Sequence, residues 1–528
     1  MNPPIKNHEK ERLRGRRDFL RQTSCAALGV TGLVNALAHL RLMTAAMAQG
    51  APGGGYKALV FLFKNGGNDS NNMIAPSAAP GDSPARADYE AGRGVLALPS
   101  ASLHPLNIPT TCRAFNQYYA GQIQPLGFHP SAEALASLFN QNKLAVVANV
   151  GTLAFPVPSR AAYSSGQITL PSQLFSHSDQ QMQWQSSLPD RPFTSGWGGR
   201  AADLLHGSYN SPSASKVSMS ISLAGVNSFQ IGTGGDVVQY VVQPSGTVNL
   251  AGYGTNYVNA LNPDGSYKTT DTGKRFKAFE DVMRLTHDNL HEEEYNRILR
   301  RARATEGIIG SALEVTAIPA TSSTLDTTLD THFAQAKHSL GDQLKMVARL
   351  IAGRSLLGNQ RQIFFVQVGG YDTHQNMLAS HANLMSELST GMKAFHDALN
   401  SPEVNAWNEV VTFTASDFNR TFTPNNTDPS KAGSDHAWGG HALVMGGAVQ
   451  GGNLYGQFPI LKTGNATGSI DAGNSGRGRW IPGTSVDQYC AHMARWLGVG
   501  SNELAAIFPN LPRFDDPFTS STANLNFL

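Results

Sequence analysis

Short, uninterrupted apolar runs separated by helix-length segments constrain the fold of this chain more than any other feature of its sequence. Such runs are typical of parallel strands, because helices cover both faces of a parallel sheet. Amphipathic stretches at about 333–357 and 376–399 precede two of the runs, as expected for alternating helices and strands. The pattern therefore predicts an α/β fold with helices on both faces of one sheet. The runs lie at 58–63, 144–150, 363–368 and 410–414.

The charge of the chain is unevenly distributed. Of its 40 basic and 38 acidic residues, eight basic and three acidic ones fall within residues 1–48. The remainder holds 32 basic and 35 acidic residues, a slight negative excess. Nucleic-acid binding usually requires a basic surface, so we expect no nucleic-acid partner.

The basic N-terminal segment predicts export. Arg16 and Arg17 precede a mildly apolar stretch, and Ala46 and Ala48 supply the small residues of a cleavage site. This resembles a twin-arginine signal peptide over 1–48, which implies recognition by the twin-arginine export machinery. An uncleaved membrane helix is the alternative, but a charged residue, Arg41, interrupts the apolar stretch before it reaches spanning length. We therefore expect a periplasmic or secreted protein with no stable membrane anchor, folded from residues 49–528 as one domain.

Two features are left open by the sequence. Cys112 and Cys490, the cysteines that remain after cleavage, can either pair or stay as buried thiols. Residues 205–330 are interpreted as an inserted β/α region or cap, in which Val217, Met219, Ile221 and Leu223 alternate with polar residues. That alternation predicts a half-exposed strand.

Carboxylates and imidazoles follow the predicted strands at the edge where ligands of open parallel sheets bind. One aspartate alone after a strand is usually a helix cap, but here the pattern recurs at three strands. Carboxylate and imidazole together suit zinc, manganese or iron, and carboxylates alone suit magnesium or calcium. We therefore expect a divalent metal ion, with ligands drawn from Asp69, Asp372, His374, Asp417, His436 and His441.

These blocks, in this order, resemble the exported bacterial family called domain of unknown function 1501. That family is similar to the alkaline phosphatase and sulfatase superfamily. The resemblance implies a three-layer α/β/α sandwich, alkaline-phosphatase-like, with a carboxylate–histidine metal site. The blocks are Gly-Gly-Asn-Asp at 66–69, Gly-Gly-Tyr-Asp-Thr-His at 369–374, Ser-Asp-Phe-Asn-Arg-Thr at 416–421 and Asp-His-Ala-Trp-Gly-Gly-His at 435–441.

The resemblance also implies roles for individual residues. Phe418 stands where the superfamily commonly has a histidine ligand, so the number of metal ions, one or two, remains open. Asp435 is implied either as a ligand or as the acceptor that orients an imidazole. The implied ligands are Asp69 after the first strand, Asp372 with His374 for one metal, Asp417 for the other, and a late histidine, His441 or alternatively His436.

The nucleophile is the least constrained part of the predicted site. Pro156 stands where a sulfatase carries its modifiable cysteine, which argues against a formylglycine sulfatase. Arg160 is a candidate clamp for an anionic substrate. Ser176 and Ser178 lie in a segment that can open a helix at the metal, or can simply cap that helix. Thr152 and Ser159 are further hydroxyl candidates.

Together these features predict an exported metal-dependent hydrolase of phosphate or sulfate esters that acts on a small anionic ester. The alternative is a non-catalytic periplasmic binding or assembly protein that retains the fold and a structural metal.

Overall fold

A computed structural model describes most of the chain from residue 55 onward. The signal peptide predicted for residues 1–48 lies outside the described residues. The described residues are 55–528 apart from 116–118, 120–121, 211–216, 235–236, 248–259, 261, 263–265, 284–322 and 474–475.

Two sheets are formed by the described residues, one of ten strands and one of three. All four apolar runs of the sequence are strands, and each strand is one or two residues longer than the run. The strands are β1 (Lys57–Lys64), β2 (Ile74–Pro76), β3 (His104–Pro105), β4 (Leu126–Phe128), β5 (Leu144–Gly151), β6 (Ser220–Ser222), β7 (Tyr240–Gln243), β8 (Gly246–Thr247), β9 (Arg361–Val368), β10 (Val410–Ser416), β11 (Gly440–Gly446), β12 (Leu454–Gly456) and β13 (Thr484–Ser485).

The large sheet has the order β12-β5-β11-β10-β1-β9-β6-β7-β8, with β13 also paired to β5. At its centre β1 runs parallel to both β10 and β9, and Lys64 is in register with Ser416 and Val368. The three strands therefore end at one level. Because β11 is antiparallel to β10, its first residues lie at that same edge.

Apolar cores cover both faces of the large sheet, as the alternation along β1 shows. Val60 and Leu62 pack in one core with the helix Met377–Asn400, and Phe61 and Phe63 pack in another with the helix Trp197–Tyr209. The prediction of an α/β fold is thus confirmed. The other helices of eight residues or more are Pro84–Arg93, Glu133–Asn140, His177–Ser186, Asp271–Met283, Ser323–His332, Ser339–Ala352 and Val486–Leu497.

Two local predictions need correction. The helix expected from about 333 to 357 is present as Ser339–Ala352 and Arg354–Leu357, but it begins later than expected. The His338 side chain accepts a hydrogen bond from the Gly341 N–H and caps it there. The strand expected to be half-exposed is buried: β6 lies between β9 and β7, and Ser220 and Ser222 are both 0% exposed.

The region 205–330 contributes β6, β7 and β8 to the large sheet, and much of the rest lies outside the described residues. Cys112 and Cys490 are both buried and are not disulfide-bonded. None of the described helices is both long and apolar enough to span a membrane.

Candidate metal centre

The candidate site lies where β9, β1 and β10 end side by side. The loop after β1 must pass very close to the loop after β9, since a Cβ on Gly66 would sit 2.4 Å from the Asp372 nitrogen. Gly66 also has φ +118°, which disfavours any other residue. Its N–H donates to both oxygens of Asp417, at 3.2 and 3.1 Å. The glycine therefore allows Asp372 and Asp417 to share one site.

Three imidazoles point their Nε2 atoms at one oxygen, Asp372 Oδ1. That oxygen lies 2.9 Å from His374 Nε2 and 3.5 Å from both His177 Nε2 and His436 Nε2. The Nε2 atoms of His374 and His436 are 3.1 Å apart. His177, Asp372 and His436 each offer a ligand atom within 4.8 Å of the others, so these residues can hold a metal ion.

The outer nitrogens of the same three rings face oxygen acceptors. His177 Nδ1 donates to Asp417 Oδ2 at 2.6 Å, and His374 Nδ1 donates to Asp435 Oδ1 at 3.1 Å. His436 Nδ1 donates to the carbonyl oxygen of Phe175 at 2.8 Å. Each ring in its neutral form thus carries its hydrogen on Nδ1 and directs the Nε2 lone pair inward, which is the usual arrangement of metal-binding histidines.

Two arginine side chains donate hydrogen bonds to the carboxylates of the site, Asp372 and Asp435. Arg420 is 0% exposed, and it donates to Asp372 Oδ1 at 2.6 Å, to the Gly66 carbonyl at 3.2 Å and to the Ser434 carbonyl. Arg477 donates to Asp435 Oδ2 at 2.6 Å. These contacts fix the two carboxylates in place.

Burial and neighbouring charges shift the pKa values of the site in different directions. Burial tends to raise the pKa of Asp372 and of Asp435, but Arg420 and Arg477 respectively outweigh it and lower both. The hydrogen bond to Asp417 raises the pKa of His177, whereas burial lowers that of His436. Both aspartates are therefore held ionised, as metal ligands or their acceptors must be.

Phe418 forms an apolar wall of the site. Its ring centroid lies 4.7 Å from those of both His177 and His436, and a Cβ on Gly67 would clash with the ring. This side chain, which follows Asp417 in the loop after β10, thus packs directly on two of the converging imidazoles.

Two predicted ligands lie apart from this group of side chains. The Asp69 carboxylate is buried against Arg93, with which it forms an ion pair, and accepts from Asn71 Nδ2 at 3.2 Å. His441 Nδ1 accepts from the Asn149 N–H at 3.1 Å, and its ring stacks on the ring of Phe458. Their predicted role as ligands remains a prediction.

The predicted substrate-binding and nucleophilic residues have local partners. Ser176 Oγ donates to Asp179 Oδ2 at 2.6 Å, and Ser178 Oγ lies 3.4 Å from the same oxygen. Arg160 donates to the carbonyl oxygen of Gly473 at 3.0 Å. The other hydroxyl candidates also have partners: Ser159 caps a short helix, and Thr152 donates to Gln180 Oε1 at 2.7 Å.

Sequence reasoning missed His177 as a site residue. It is the first residue of the helix His177–Ser186, and the next turn of that helix places Gln181 Nε2 3.0 Å from Asp417 Oδ2. The signal was present, because His177 lies between the two serines that the sequence offers as nucleophiles. A histidine on a helix in another part of the chain cannot be assigned to a strand edge from spacing alone.

The fold and the site together define a class: α/β proteins with a histidine–carboxylate cluster at the carboxyl edge of a mostly parallel sheet. A family model described as "Protein of unknown function (DUF1501)" matches residues 56–472. The chain belongs to that family, as its sequence blocks predict. A comparison with curated proteins finds no match.

Proposed function

We propose that the protein is an exported metal-dependent hydrolase of phosphate or sulfate esters, with zinc at the cluster formed by His177, Asp372, His374 and His436. The observation that carries the proposal is the inward direction of three imidazole lone pairs. Two such lone pairs 3.1 Å apart repel each other unless a cation lies between them or one ring is protonated. His177 Nε2 is buried and has no hydrogen-bond partner among the described residues.

The spacing of the donor atoms fits a small tetrahedral ion. Zinc lies about 2.0–2.1 Å from nitrogen and oxygen ligands, so neighbouring ligand atoms should be about 3.3 Å apart. Among Asp372, His374 and His436 the separations of 2.9, 3.1 and 3.5 Å bracket that value. His177 Nε2 lies 3.5 Å from Asp372 Oδ1, and its ligand atom is within 4.8 Å of that of His436. Three nitrogen donors also favour zinc or manganese over magnesium or calcium, which prefer oxygen.

A bound metal of this kind supplies Lewis acidity and lowers the pKa of a coordinated hydroxyl or water. The remaining chemistry belongs to the chain itself. Arg477 donates to Asp435, and Arg479 donates to the carbonyl oxygen of His436. The positive N-terminal end of the helix His177–Ser186 also lies at the cluster. Both features favour an anionic ester. Ser176, held to Asp179, is the side-chain nucleophile to test against water.

A non-catalytic binding or assembly role with a structural metal is the second candidate. Two observations favour it. Ser176 and Ser178 both contact Asp179, and Phe418 occupies the wall where a second metal ligand is expected. In that case the metal would contribute to stability and no ester would be hydrolysed.

Metal content, stability and hydrolysis of an Asp372→Asn variant separate the two candidates. We expect the wild-type mature protein to bind about one zinc by elemental analysis. It should hydrolyse a member of a panel of phosphate and sulfate monoesters and diesters. If the protein is a hydrolase, the variant should lose metal affinity and turnover with little change in Tm. If the metal is structural, the variant should have a lower Tm, and neither protein should hydrolyse any ester.

Asp428→Asn is the matched control, since this carboxylate is on the same loop as Asp435 but contacts Ser430 and Lys431 instead. A wild-type protein that gains neither metal nor stability on titration with zinc or manganese would contradict both candidates.

Localisation is part of the same proposal. The twin-arginine segment at residues 1–48 supports export to the periplasm or the medium by that route. Fusion of residues 1–48 to a reporter that functions only after folded export tests it, with Arg16→Lys and Arg17→Lys together as the variant that should abolish export.

A further inference from the structure

A buried lysine ends the central strand of the sheet. Lys64 is 1% exposed and follows Val60 and Leu62 on the face of β1 that packs against apolar side chains. Its Nζ has one hydrogen-bond partner in the described part of the chain, the sulfur of Met73 at 3.9 Å. No described carboxylate forms an ion pair with it. An ammonium group in such a place is costly unless another charge balances it.

Two other buried side chains have polar atoms without a partner in the described part of the chain: Asn68 beside Lys64, and His381, which is near enough for the charge of Lys64 to lower its pKa. Asn68 Nδ2 donates to the Met73 sulfur at 3.5 Å, which places this side chain next to Lys64, while Asn68 Oδ1 has no partner among the described residues. His381 is 1% exposed, and neither of its ring nitrogens has a described partner. Buried polar groups without partners are rare in native proteins and call for an explanation.

The electrostatic environment of these groups is positive. Burial, followed by the charges of Arg93 and Lys64, lowers the pKa of His381 to about 3, so its ring is neutral and has one N–H to donate. The charge of Arg93 is balanced by Asp69 in their buried ion pair. Burial lowers the pKa of Lys64 to about 7, so a counter-charge beside it decides whether the amine stays protonated at neutral pH. No described side chain supplies that counter-charge.

We propose that a small monovalent anion of the size of chloride binds beside Lys64 Nζ, with the N–H of His381 as a second donor. An anion supplies both the missing counter-charge and the missing acceptor. A water molecule would supply the acceptor alone, and without a counter-charge the amine would lose its proton as pH rises through about 7. The site shares none of its residues with the metal centre, so it is independent of the proposed hydrolysis.

Thermal unfolding in two salts tests the proposal. The wild-type protein is melted in sodium chloride and in sodium gluconate at matched ionic strength. A free chloride concentration about fifty times its Kd should raise Tm by about 2 °C for a domain of this size. Lys64→Met should abolish the difference between the salts. Lys57→Met, at the other end of β1, should retain it, because the Lys57 Nζ donates to the Trp496 carbonyl.

Crystals of the wild-type protein grown or soaked in sodium bromide provide a test that does not depend on a variant that folds. An anomalous peak within about 3.5 Å of Lys64 Nζ supports the site. The proposal is overturned if the wild-type Tm is equal in chloride and gluconate. It is also overturned if bromide gives no peak there, or if a water molecule occupies the position at high bromide.

Discussion

Replacing Gly66 by alanine tests whether the loop after β1 must be free of side chains for the site to form. Gly66 carries two separate constraints: a φ of +118°, and a distance of only 2.4 Å between the place that a Cβ would take and the Asp372 nitrogen. The conformational strain costs an L-residue roughly 1–3 kcal/mol. The overlap involves backbone that cannot rotate away and adds about 1–3 kcal/mol. We therefore expect about 2–6 kcal/mol of destabilisation in total.

Gly81→Ala is the matched control. Gly81 also has a positive φ, +89°, but no atom lies within 4 Å of its Cβ position, so this variant measures strain without overlap. Urea unfolding should place Gly66→Ala about 1–3 kcal/mol below Gly81→Ala in the free energy of unfolding. Zinc affinity should fall only in Gly66→Ala, because Asp372 and Asp417 both contact that residue. Equal stability of the two variants would refute the close approach of the two loops.

Two further predictions follow from the cluster and from a buried carboxylate. Asp435→Ala removes the acceptor of His374 Nδ1 and should weaken zinc binding about 10–100-fold, while Asp428→Ala leaves it unchanged; a titration monitored by competition with a chelator measures both. Burial raises the pKa of Asp487 to about 7, above the ordinary value of 3.8 that it regains on unfolding. The native state therefore binds more protons between about pH 4 and 7, and its stability should fall as pH rises through that window. Asp487→Asn should flatten this slope in urea unfolding at several pH values, and an unchanged slope would contradict the assignment.

The strands were predictable because a strand that is buried on both faces of a sheet has a continuous run of apolar residues. Residues 58–63 and 363–368 contain almost no polar side chain, and both are strands. The short β6 was misjudged because alternating serines indicate an exposed face. In the structure Ser220 and Ser222 are buried in a strand that lies between β9 and β7, which no local pattern records.

The site was predictable in part for a similar reason. Asp372 and Asp417 follow the two strands that flank β1, so a rule that places ligands at strand ends locates them. His177 lies at the site because the helix His177–Ser186 packs there, and Arg420 lies there because its buried side chain contacts Asp372. Both positions depend on tertiary packing. Local spacing also cannot show that Asp69 faces Arg93, since the helix Pro84–Arg93 must first pack against the loop after β1.

Asp69 provides the sharpest remaining test, because its predicted role and its observed contacts make opposite predictions. Arg93 donates to this carboxylate and also to the carbonyl oxygens of Thr421 and Phe422, at 2.9 and 2.8 Å. Arg93→Met leaves a fully buried carboxylate without its counter-charge, which should cost about 3–5 kcal/mol in the free energy of unfolding.

A structural pair and a metal ligand differ in a double-mutant cycle. If Asp69 serves only the ion pair, Asp69→Asn combined with Arg93→Met should be more stable than Arg93→Met alone, since the unbalanced charge is gone. Zinc affinity should then be the same in Asp69→Asn as in the wild type. If Asp69 binds the metal, zinc affinity falls in Asp69→Asn. Arg93 would then exchange its carboxylate partner when the metal binds, and adding zinc would destabilise the pair that the structure shows.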